Sequence, residues 1–118
     1  MKTHTSLLLQ RLQLGKSKYG HGVRVNSDTT TWGTPKDSWL EMANEEFLDG
    51  IIYITCDYLR KGRDKIQGAS KLEVEFNDAS QEDDNELIMY VIDNHQRMES
   101  EGHKKALITL LDLVSMCL

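Results

Sequence analysis

Residues 34–62, TPKDSWLEMANEEFLDGIIYITCDYLRKG, decide the fold, because they form the longest stretch of the chain with helical periodicity. Thr34 can cap a helix, Pro35 suits its first position, and Asp37 stands where the acid of a capping box reaches back. Gly62 can end the helix. At 1.5 Å per residue, the predicted helix is about 40 Å long, which is enough to span a small domain.

On a helical wheel, this segment carries an apolar stripe along one face, formed by Leu40, Ala43, Phe47, Ile51, Ile54 and Tyr58. The opposite side begins acidic and becomes apolar after Gly50, with Ile52, Cys56 and Leu59. We therefore expect the second half of the helix to be buried on two sides. One short chain has few helices to cover both sides, so the sequence predicts an all-α helical bundle assembled as an oligomer, at least a dimer.

Together with the long helix, the other segments predict four helices in one domain that fills residues 1–118, a length that suits a single core. Leucines between positions 7 and 14 indicate a first short helix that Gly15 stops. A third helix is expected from Leu87 to a close near Gly102, and a last one from Lys104. Two loops separate them, at 16–33 and 62–84, and the alternation of KLEVEF at 71–76 indicates a short extended piece in the second.

The composition limits the class of protein. A hydrophobic share of 39% and a charged share of 28% are typical of a soluble globular chain. The net charge of −5, without a long basic run, argues against nucleic acid as the main partner. The longest apolar run is too short for a bilayer span, and Gln10 and Arg11 cut the N-terminal leucines too short for a signal peptide. Cys56 and Cys117 lie in apolar stretches, which favours a reducing compartment, so we expect a cytoplasmic protein without a membrane partner.

Four acidic residues stand in the first half of the long predicted helix. Glu41, Glu45 and Asp49 follow one another at intervals of one turn, Glu46 flanks them, and no lysine or arginine lies between 41 and 49. Like charges at this spacing repel, so carboxylates at the mouth of a buried seam need a cation or protons. Oxygen ligands suit Mg²⁺ or Mn²⁺, the ions that accompany triphosphates. The alternative is an acidic face that is simply solvated.

The predicted loop at 16–33 carries basic and aromatic side chains, which complement the acidic residues of the helix. Lys16, Lys18 and Arg24 can neutralise phosphates, while Tyr19 or Trp32 can stack on a base. Loops of this length are often functional. Any glycine-rich polar loop would carry similar residues, so the loop by itself leaves its role open.

Taken together, the Lys18-Tyr19-Gly20 element and the stretch at 39–53, WLEMANEEFLDGIIY, resemble the MazG-like all-α nucleotide pyrophosphohydrolases. In that family, a Lys-Tyr-Gly element precedes a helix that carries Glu-Glu-x-x-Asp and then a tyrosine one turn on. The resemblance covers about residues 12–60, and it is nearest to the phage-encoded MazZ type, which acts on dATP and dGTP.

The resemblance implies an oligomer, a dimer or tetramer, that hydrolyses a purine deoxynucleoside triphosphate to the monophosphate and pyrophosphate. Mg²⁺ or Mn²⁺ would be held by Glu45, Glu46 and Asp49, with Glu41 one turn earlier. Glu45 and Glu46 would also act as the catalytic carboxylates that help to activate water. The substrate-binding residues would be Lys16, Lys18, Tyr19, Arg24, Trp32 and Tyr53. A phage enzyme of this kind would shape the nucleotide pool in the cytoplasm of the infected bacterial host.

The family usually has two acidic pairs, and only the second is matched here, by Glu46 and Asp49; Glu86 and Asp93 are further candidate ligands on a later helix. The sequence suggests no Ser-His-Asp set and no reactive cysteine, since Cys56 is expected on a buried face. The leading alternative is a non-enzymatic acidic helical module that binds a host protein. A nucleic-acid-binding protein comes third, because of the negative charge balance.

Overall fold

The structure is a computed structural model that describes residues 3–76 and 82–117, and these residues form helices and no strand. The predicted all-α class is thereby confirmed. The described residues contain five α-helices: α1 (His4–Tyr19), α2 (Trp39–Arg63), α3 (Lys71–Phe76), α4 (Asn85–Asp93) and α5 (Glu101–Cys117). Two short 3₁₀ turns, Thr29–Trp32 and His95–Arg97, lie between them. None of the described helices is both long enough and apolar enough to cross a bilayer.

The hydrophobic core forms where α2 lies along α5, with α3 and α4 closing it. Its buried apolar residues are Ile51, Tyr58, Leu59, Leu72, Leu87, Val91, Met98 and Leu107. The predicted core stripe of α2 is confirmed at Ile51 and Tyr58, and Ile54 packs against the same core. The stripe fades toward the N-terminus, where Phe47 and Ala43 are half-buried and Leu40 is exposed.

Within one chain, the second half of α2 is not buried on two sides, and its burial by a partner copy stays a prediction. Leu59 is buried, but Ile52 is 42% exposed and Cys56 is also exposed. The reason is that α5, the main partner of α2, covers the side that carries Ile51 and Tyr58. No other described helix covers the side that carries Ile52.

The first helix is longer than predicted. It runs through Gly15 and ends at Gly20, whose φ of 81° is left-handed and whose N–H donates to the carbonyl of Lys16 at 2.9 Å. Because the left-handed conformation suits glycine, the stop falls at Gly20, while Gly15 merely weakens the helix from within. None of the residues of α1 is buried. Its exposed leucines are Leu7, Leu8, Leu9, Leu12 and Leu14.

The second helix begins later than predicted and continues past Gly62. Ser38 is its N-cap, and the Ser38 hydroxyl accepts a hydrogen bond from the N–H of Glu41 at 3.2 Å. Thr34 and Asp37 therefore do not cap it. Gly62 lies inside the last turn, where a β-carbon would stand 2.6 Å from the nitrogen of Ser70. Close packing against Ser70, rather than termination of the helix, is what requires glycine at this position.

The segment KLEVEF is the helix α3, so the predicted extended piece is wrong. Leu72 is fully buried and Phe76, one turn later, packs against the core, so a helical turn places both on the same side. The predicted boundaries of the last two helices are also wrong, because α4 already ends at Asp93 and α5 begins at Glu101, which leaves Gly102 inside α5. The rest of the predicted second loop includes residues 77–81, which lie outside the described residues.

Candidate functional site

The acidic face, defined as Glu41, Glu45, Glu46 and Asp49, lies on the N-terminal half of α2. Glu45, Glu46 and Asp49 are exposed. Glu41 is half-buried, and its carboxylate accepts a hydrogen bond from the N–H of Lys36 at 2.9 Å. In residues 3–76 and 82–117, no lysine, arginine or histidine pairs with any of the four. The face therefore carries uncompensated charge in solvent. It does not stand at the mouth of a buried seam, because Ile52 beyond it is exposed.

The described residues do not bring together a complete metal site. Within the described parts of the chain, no three side chains of His, Cys, Asp or Glu lie close enough together to hold an ion. The carboxylates of one helix face point outward one turn apart, and Glu86 and Asp93 are exposed on α4 without joining them. Glu45, Glu46 and Asp49 thus offer the oxygen chemistry that Mg²⁺ prefers, and the described residues place no further ligand beside them.

The predicted phosphate-binding lysines lie in a helix and not in a loop. Lys16, Lys18 and Tyr19 form the last turn of α1, where positive charge is favourable beside the helix C-terminus. The ammonium of Lys18 stands 5.4 Å from the centroid of the Tyr19 ring. Lys16 borders a shallow groove between α1 and the following loop, lined by Leu12, Gln13, Lys16, Gly22 and Val23. Among the described residues, no hydrogen bond or ion pair joins these lysines to the acidic face.

A cluster of hydroxyl groups closes the loop between α1 and α2. Thr29 is fully buried; its hydroxyl lies 2.8 Å from that of Thr34 and accepts a hydrogen bond from the N–H of Ser38 at 2.8 Å. The N–H of Thr29 donates to Asp37 at 2.9 Å. Thr34 and Asp37, which the sequence predicted to start a helix, therefore hold the loop against the N-cap of α2. Sequence reasoning missed this cluster, because its contacts span five to nine residues outside any repeating pattern.

Aromatic residues flank the acidic face at both ends. The rings of Trp32 and Trp39 lie 5.7 Å apart, and the indole N–H of Trp39 donates to the carbonyl of Val25 at 2.8 Å. The structure thus brings Trp32 to the start of α2, with Arg24 exposed in the same loop. Tyr53 is 67% exposed, one turn beyond Asp49. Trp32 and Tyr53 are therefore accessible to a ligand that lies along the acidic face.

A series of hydrogen bonds that the sequence did not suggest links α2 to the start of α5. The His103 Nε2 atom lies 2.7 Å from a carboxylate oxygen of Asp57, and its Nδ1 atom is hydrogen-bonded to the hydroxyl of Ser100. The hydrogen bond from His103, together with Lys61 at 2.9 Å, holds the pKa of Asp57 below its usual range. Ser100 directly precedes α5 and His103 stands in its first turn. We interpret these hydrogen bonds as structural contacts that hold the start of α5 against α2.

A second set of hydrogen bonds, centred on Glu99, lies beside the first. The hydroxyl of Tyr58 donates to one carboxylate oxygen of Glu99, while the other accepts the N–H of Lys71 at 2.7 Å. Burial, together with the bond to Glu99, raises the pKa of Tyr58 to about 12. Because Tyr58 lies on α2 and Lys71 opens α3, Glu99 joins two helices to the segment before α5. No sequence pattern connects residues this far apart in the chain.

The chain was compared with known protein families, with curated proteins and with solved structures, and none of these comparisons finds a match. The resemblance to the MazG-like enzymes consequently stays a prediction that rests on the Lys-Tyr-Gly and Glu-Glu-x-x-Asp elements.

Proposed function

We propose that the chain is a subunit of a metal-dependent nucleotide pyrophosphohydrolase, which hydrolyses purine deoxynucleoside triphosphates to the monophosphate and pyrophosphate. The observation that carries the proposal is the acidic face, whose Glu45, Glu46 and Asp49 are exposed and which has no counter-ion in the described residues. Such a face raises the energy of an isolated helix, since carboxylates one turn apart repel. A bound cation would remove that cost.

The chemistry of the proposed reaction suits these residues. Hydrolysis of a triphosphate depends on positioning and neutralisation of charge more than on a covalent nucleophile. A divalent metal would supply neutralisation and an activated water when bound. Glu45, Glu46 and Asp49 would provide oxygen ligands, Glu45 and Glu46 also serving as the catalytic carboxylates. The basic residues Lys16, Lys18 and Arg24 would hold phosphate oxygens, and Tyr19, Trp32 and Tyr53 would contact the nucleoside.

The preference for dATP and dGTP comes from the resemblance to the MazZ type, and so does the role in shaping the nucleotide pool of a phage-infected bacterial cytoplasm. The described structure supports the more general part of the proposal, an all-helical chain that displays carboxylates for a cation. The assembly into a dimer or tetramer belongs to the same proposal.

The direct test is to incubate the purified chain with Mg²⁺ or Mn²⁺ and each of eight nucleoside triphosphates, and to measure pyrophosphate. We expect release from dATP and dGTP. Metal should also raise the melting temperature, because it binds the folded state. Glu45→Gln and Asp49→Asn should abolish that increment, whereas Glu86→Gln, an exposed carboxylate outside the face, should keep it. Equal responses in all three variants would place the metal elsewhere.

Lys18→Ala separates the nucleotide contact from the metal contact. The substitution should raise KM or lower kcat/KM about tenfold, on the order of 1.4 kcal/mol of lost transition-state stabilisation. Stabilisation by metal alone should persist in this variant, since a lysine contributes a point charge to phosphate and no ligand to metal. Unchanged kinetics would remove α1 from the active site.

The exposed leucines of α1 favour a second candidate, a non-enzymatic module that binds another protein, such as a host factor, through its helices. An absence of pyrophosphate with every triphosphate and both metals would favour this function over the enzyme.

A further inference from the structure

The hydrogen bonds that hold the start of α5 against α2 also have the order of a nucleophile, a base and an acid that orients the base. The hydroxyl of Ser100 is hydrogen-bonded to Nδ1 of His103, and Nε2 of the same ring lies 2.7 Å from a carboxylate oxygen of Asp57. Sets of this kind are identified by the geometry and the roles of their side chains, and they occur on unrelated folds in different chain orders. The three side chains meet the geometric condition for an activated serine.

The contacts of the imidazole orient it as a base toward Ser100. The hydrogen bonds from His103 and Lys61 hold the pKa of Asp57 below its usual range, so this carboxyl is ionised at neutral pH. Because an ionised carboxylate only accepts hydrogen bonds, the proton of the neutral ring stands on Nε2, and Nδ1 accepts the hydroxyl proton. The ring of Tyr58 packs edge-on against the imidazole at 5.7 Å between centroids, which restricts its rotation.

The position of Ser100 at the start of α5 adds donors for a developing negative charge. Ser100 directly precedes α5, and its carbonyl accepts a hydrogen bond from the N–H of Lys104 at 3.0 Å. The N–H groups of a first helical turn have no acceptor within the helix. In the part of the chain that the structure describes, those of Glu101 and Gly102 are bonded to no other group. Backbone donors directly after a nucleophilic serine are the groups that stabilise an oxyanion.

The nucleophile can be reached from solvent. Ser100 is half-buried, and the side chain of His103 is 18% exposed. Gly102 is exposed, and no atom lies within 4 Å of the point where its β-carbon would stand. The space beside the free N–H groups is therefore open to a small acyl group.

The charges around Ser100 favour an uncharged substrate. Asp57 is paired with Lys61 at 2.9 Å, and Glu101 with Lys104 at 3.7 Å. Each of these lysines is matched by a carboxylate, so neither offers unbalanced positive charge to a carboxylate or phosphate group of a substrate. An ester without charge enters such surroundings with the smallest electrostatic cost.

We propose that Ser100, His103 and Asp57 form a second hydrolytic site, which cleaves uncharged, short-chain carboxylic esters by way of an acyl-serine. The site is distinct from the acidic face, because Asp57 follows Asp49 by eight residues, about 12 Å along α2. Its chemistry uses neither the metal nor the nucleotide of the proposed pyrophosphohydrolase. The two activities can therefore be tested separately.

The reaction has two steps. In the first, the oxygen of Ser100 bonds to the carbonyl carbon of the ester while its proton moves to Nδ1 of His103. The bond from that carbon to the alcohol oxygen then breaks, and the alcohol leaves with the proton. In the second step, water adds to the acyl carbon and gives a proton to Nδ1, and the serine oxygen leaves and regains that proton. The sum is ester plus water to carboxylic acid plus alcohol.

Labelling of the full chain with a fluorophosphonate tests the nucleophile directly. The serine oxygen bonds to phosphorus and fluoride leaves, so intact mass spectrometry should show one adduct, which peptide mapping should place on Ser100. The reaction is run in EDTA without nucleotide, which makes it independent of the proposed function. An unlabelled wild type, or an adduct on another residue, overturns the proposal.

Variants of the nucleophile and the base test the reaction rate. Ser100→Gly, a mild change at a helix N-cap, should abolish labelling and hydrolysis of p-nitrophenyl acetate. His103→Gln should slow both at least about a hundredfold, because general base catalysis is lost. Ser115→Ala is the control, since this serine of α5 donates to the carbonyl of Leu111 and should react as the wild type does. Wild-type rates in Ser100→Gly or His103→Gln overturn the proposal, and circular dichroism checks that each variant folds.

Asp57 acts through His103 and is a positioning residue. Asp57→Asn should lower kcat for p-nitrophenyl acetate at least about tenfold with KM unchanged, because the amide no longer selects the reactive tautomer. Lys61→Ala removes the other partner of Asp57 and should leave kcat near that of the wild type. If Asp57→Asn keeps the wild-type kcat, or changes KM alone, the assignment of Asp57 to the site is overturned.

Discussion

The N-terminal and C-terminal parts of the described chain are stabilised by different interactions. All the buried apolar residues of the described structure lie at or after Ile51. Before Ile51, the buried residues are Thr29 and Thr34, whose hydroxyl groups are hydrogen-bonded to each other. The C-terminal part therefore has a hydrophobic core, whereas the N-terminal part has a local network of hydrogen bonds.

The two parts therefore differ in the free energy that stabilises them. Burial of apolar surface contributes roughly 25 cal/mol per Å², so a cluster of fully buried side chains stabilises the C-terminal part strongly. A hydrogen bond contributes on the order of 1 kcal/mol net, because water competes for both partners. We expect the N-terminal part to open locally at a much smaller free energy than the core, as segments with few apolar contacts do.

The largest contrast is expected between two leucine truncations. Leu107→Ala removes a fully buried side chain from α5, and should lower the free energy of unfolding by about 2–5 kcal/mol. Leu8→Ala removes a side chain that is 65% exposed on α1, and should change it by less than about 0.5 kcal/mol. Urea titrations of both variants at one chain concentration provide the measurement. Equal losses would show that α1 belongs to the core.

Two glycine substitutions give the next largest difference. A β-carbon at Gly62 would meet backbone and side-chain atoms of Ser70 between 2.6 and 2.9 Å, so Gly62→Ala must push α2 away from that segment. We expect a loss of about 1–3 kcal/mol, as for other overpacked interiors. Gly22→Ala is the matched change in the N-terminal part, where no atom lies within 4 Å, and its thermal unfolding should stay close to that of the wild type.

The smallest difference in stability is expected from the hydrogen bond that joins α2 to the segment before α5. Tyr58→Phe deletes the hydroxyl that donates to Glu99, and should cost about 1 kcal/mol at neutral pH, while Tyr53→Phe on the exposed side should cost nothing measurable. Burial raises the pKa of Glu99, but the hydrogen bonds from Tyr58 and Lys71 outweigh it and leave that pKa lowered.

The lowered pKa gives the Tyr58→Phe comparison a definite pH dependence. The unfolded pKa of a glutamate is about 4.3. Stabilisation by Glu99 is therefore fully present above that pH, and is lost as the pH falls through the lower folded pKa. In Tyr58→Phe, the folded pKa should move back toward the ordinary value, so acid titration should remove less stability than in the wild type. Parallel acid curves for both proteins would contradict this role of Glu99.

Sequence periodicity predicted the structure correctly where the apolar spacing of one long helix is sufficient to define it. The long helix and its core residues Ile51 and Tyr58 follow from apolar spacing alone, since a period of 3.6 residues sustained over several turns indicates one packed face of a helix. The composition of the acidic face was equally readable. Periodicity failed for KLEVEF, where alternation indicated an extended piece, because a six-residue segment satisfies both patterns and burial of Leu72 selects the helix.

The helical class, the long α2 and the separation of acidic from basic residues follow from residue spacing and charge along the chain. The packing of the folded chain fixes which side of α2 is covered, keeps α1 outside the core, and makes structural contacts of Gly62, His103 and Glu99. Those properties depend on which segments meet in space, and the bonds that join Asp57 to His103 and Tyr58 to Glu99 span more than forty residues. Local propensity carries no information about such distances.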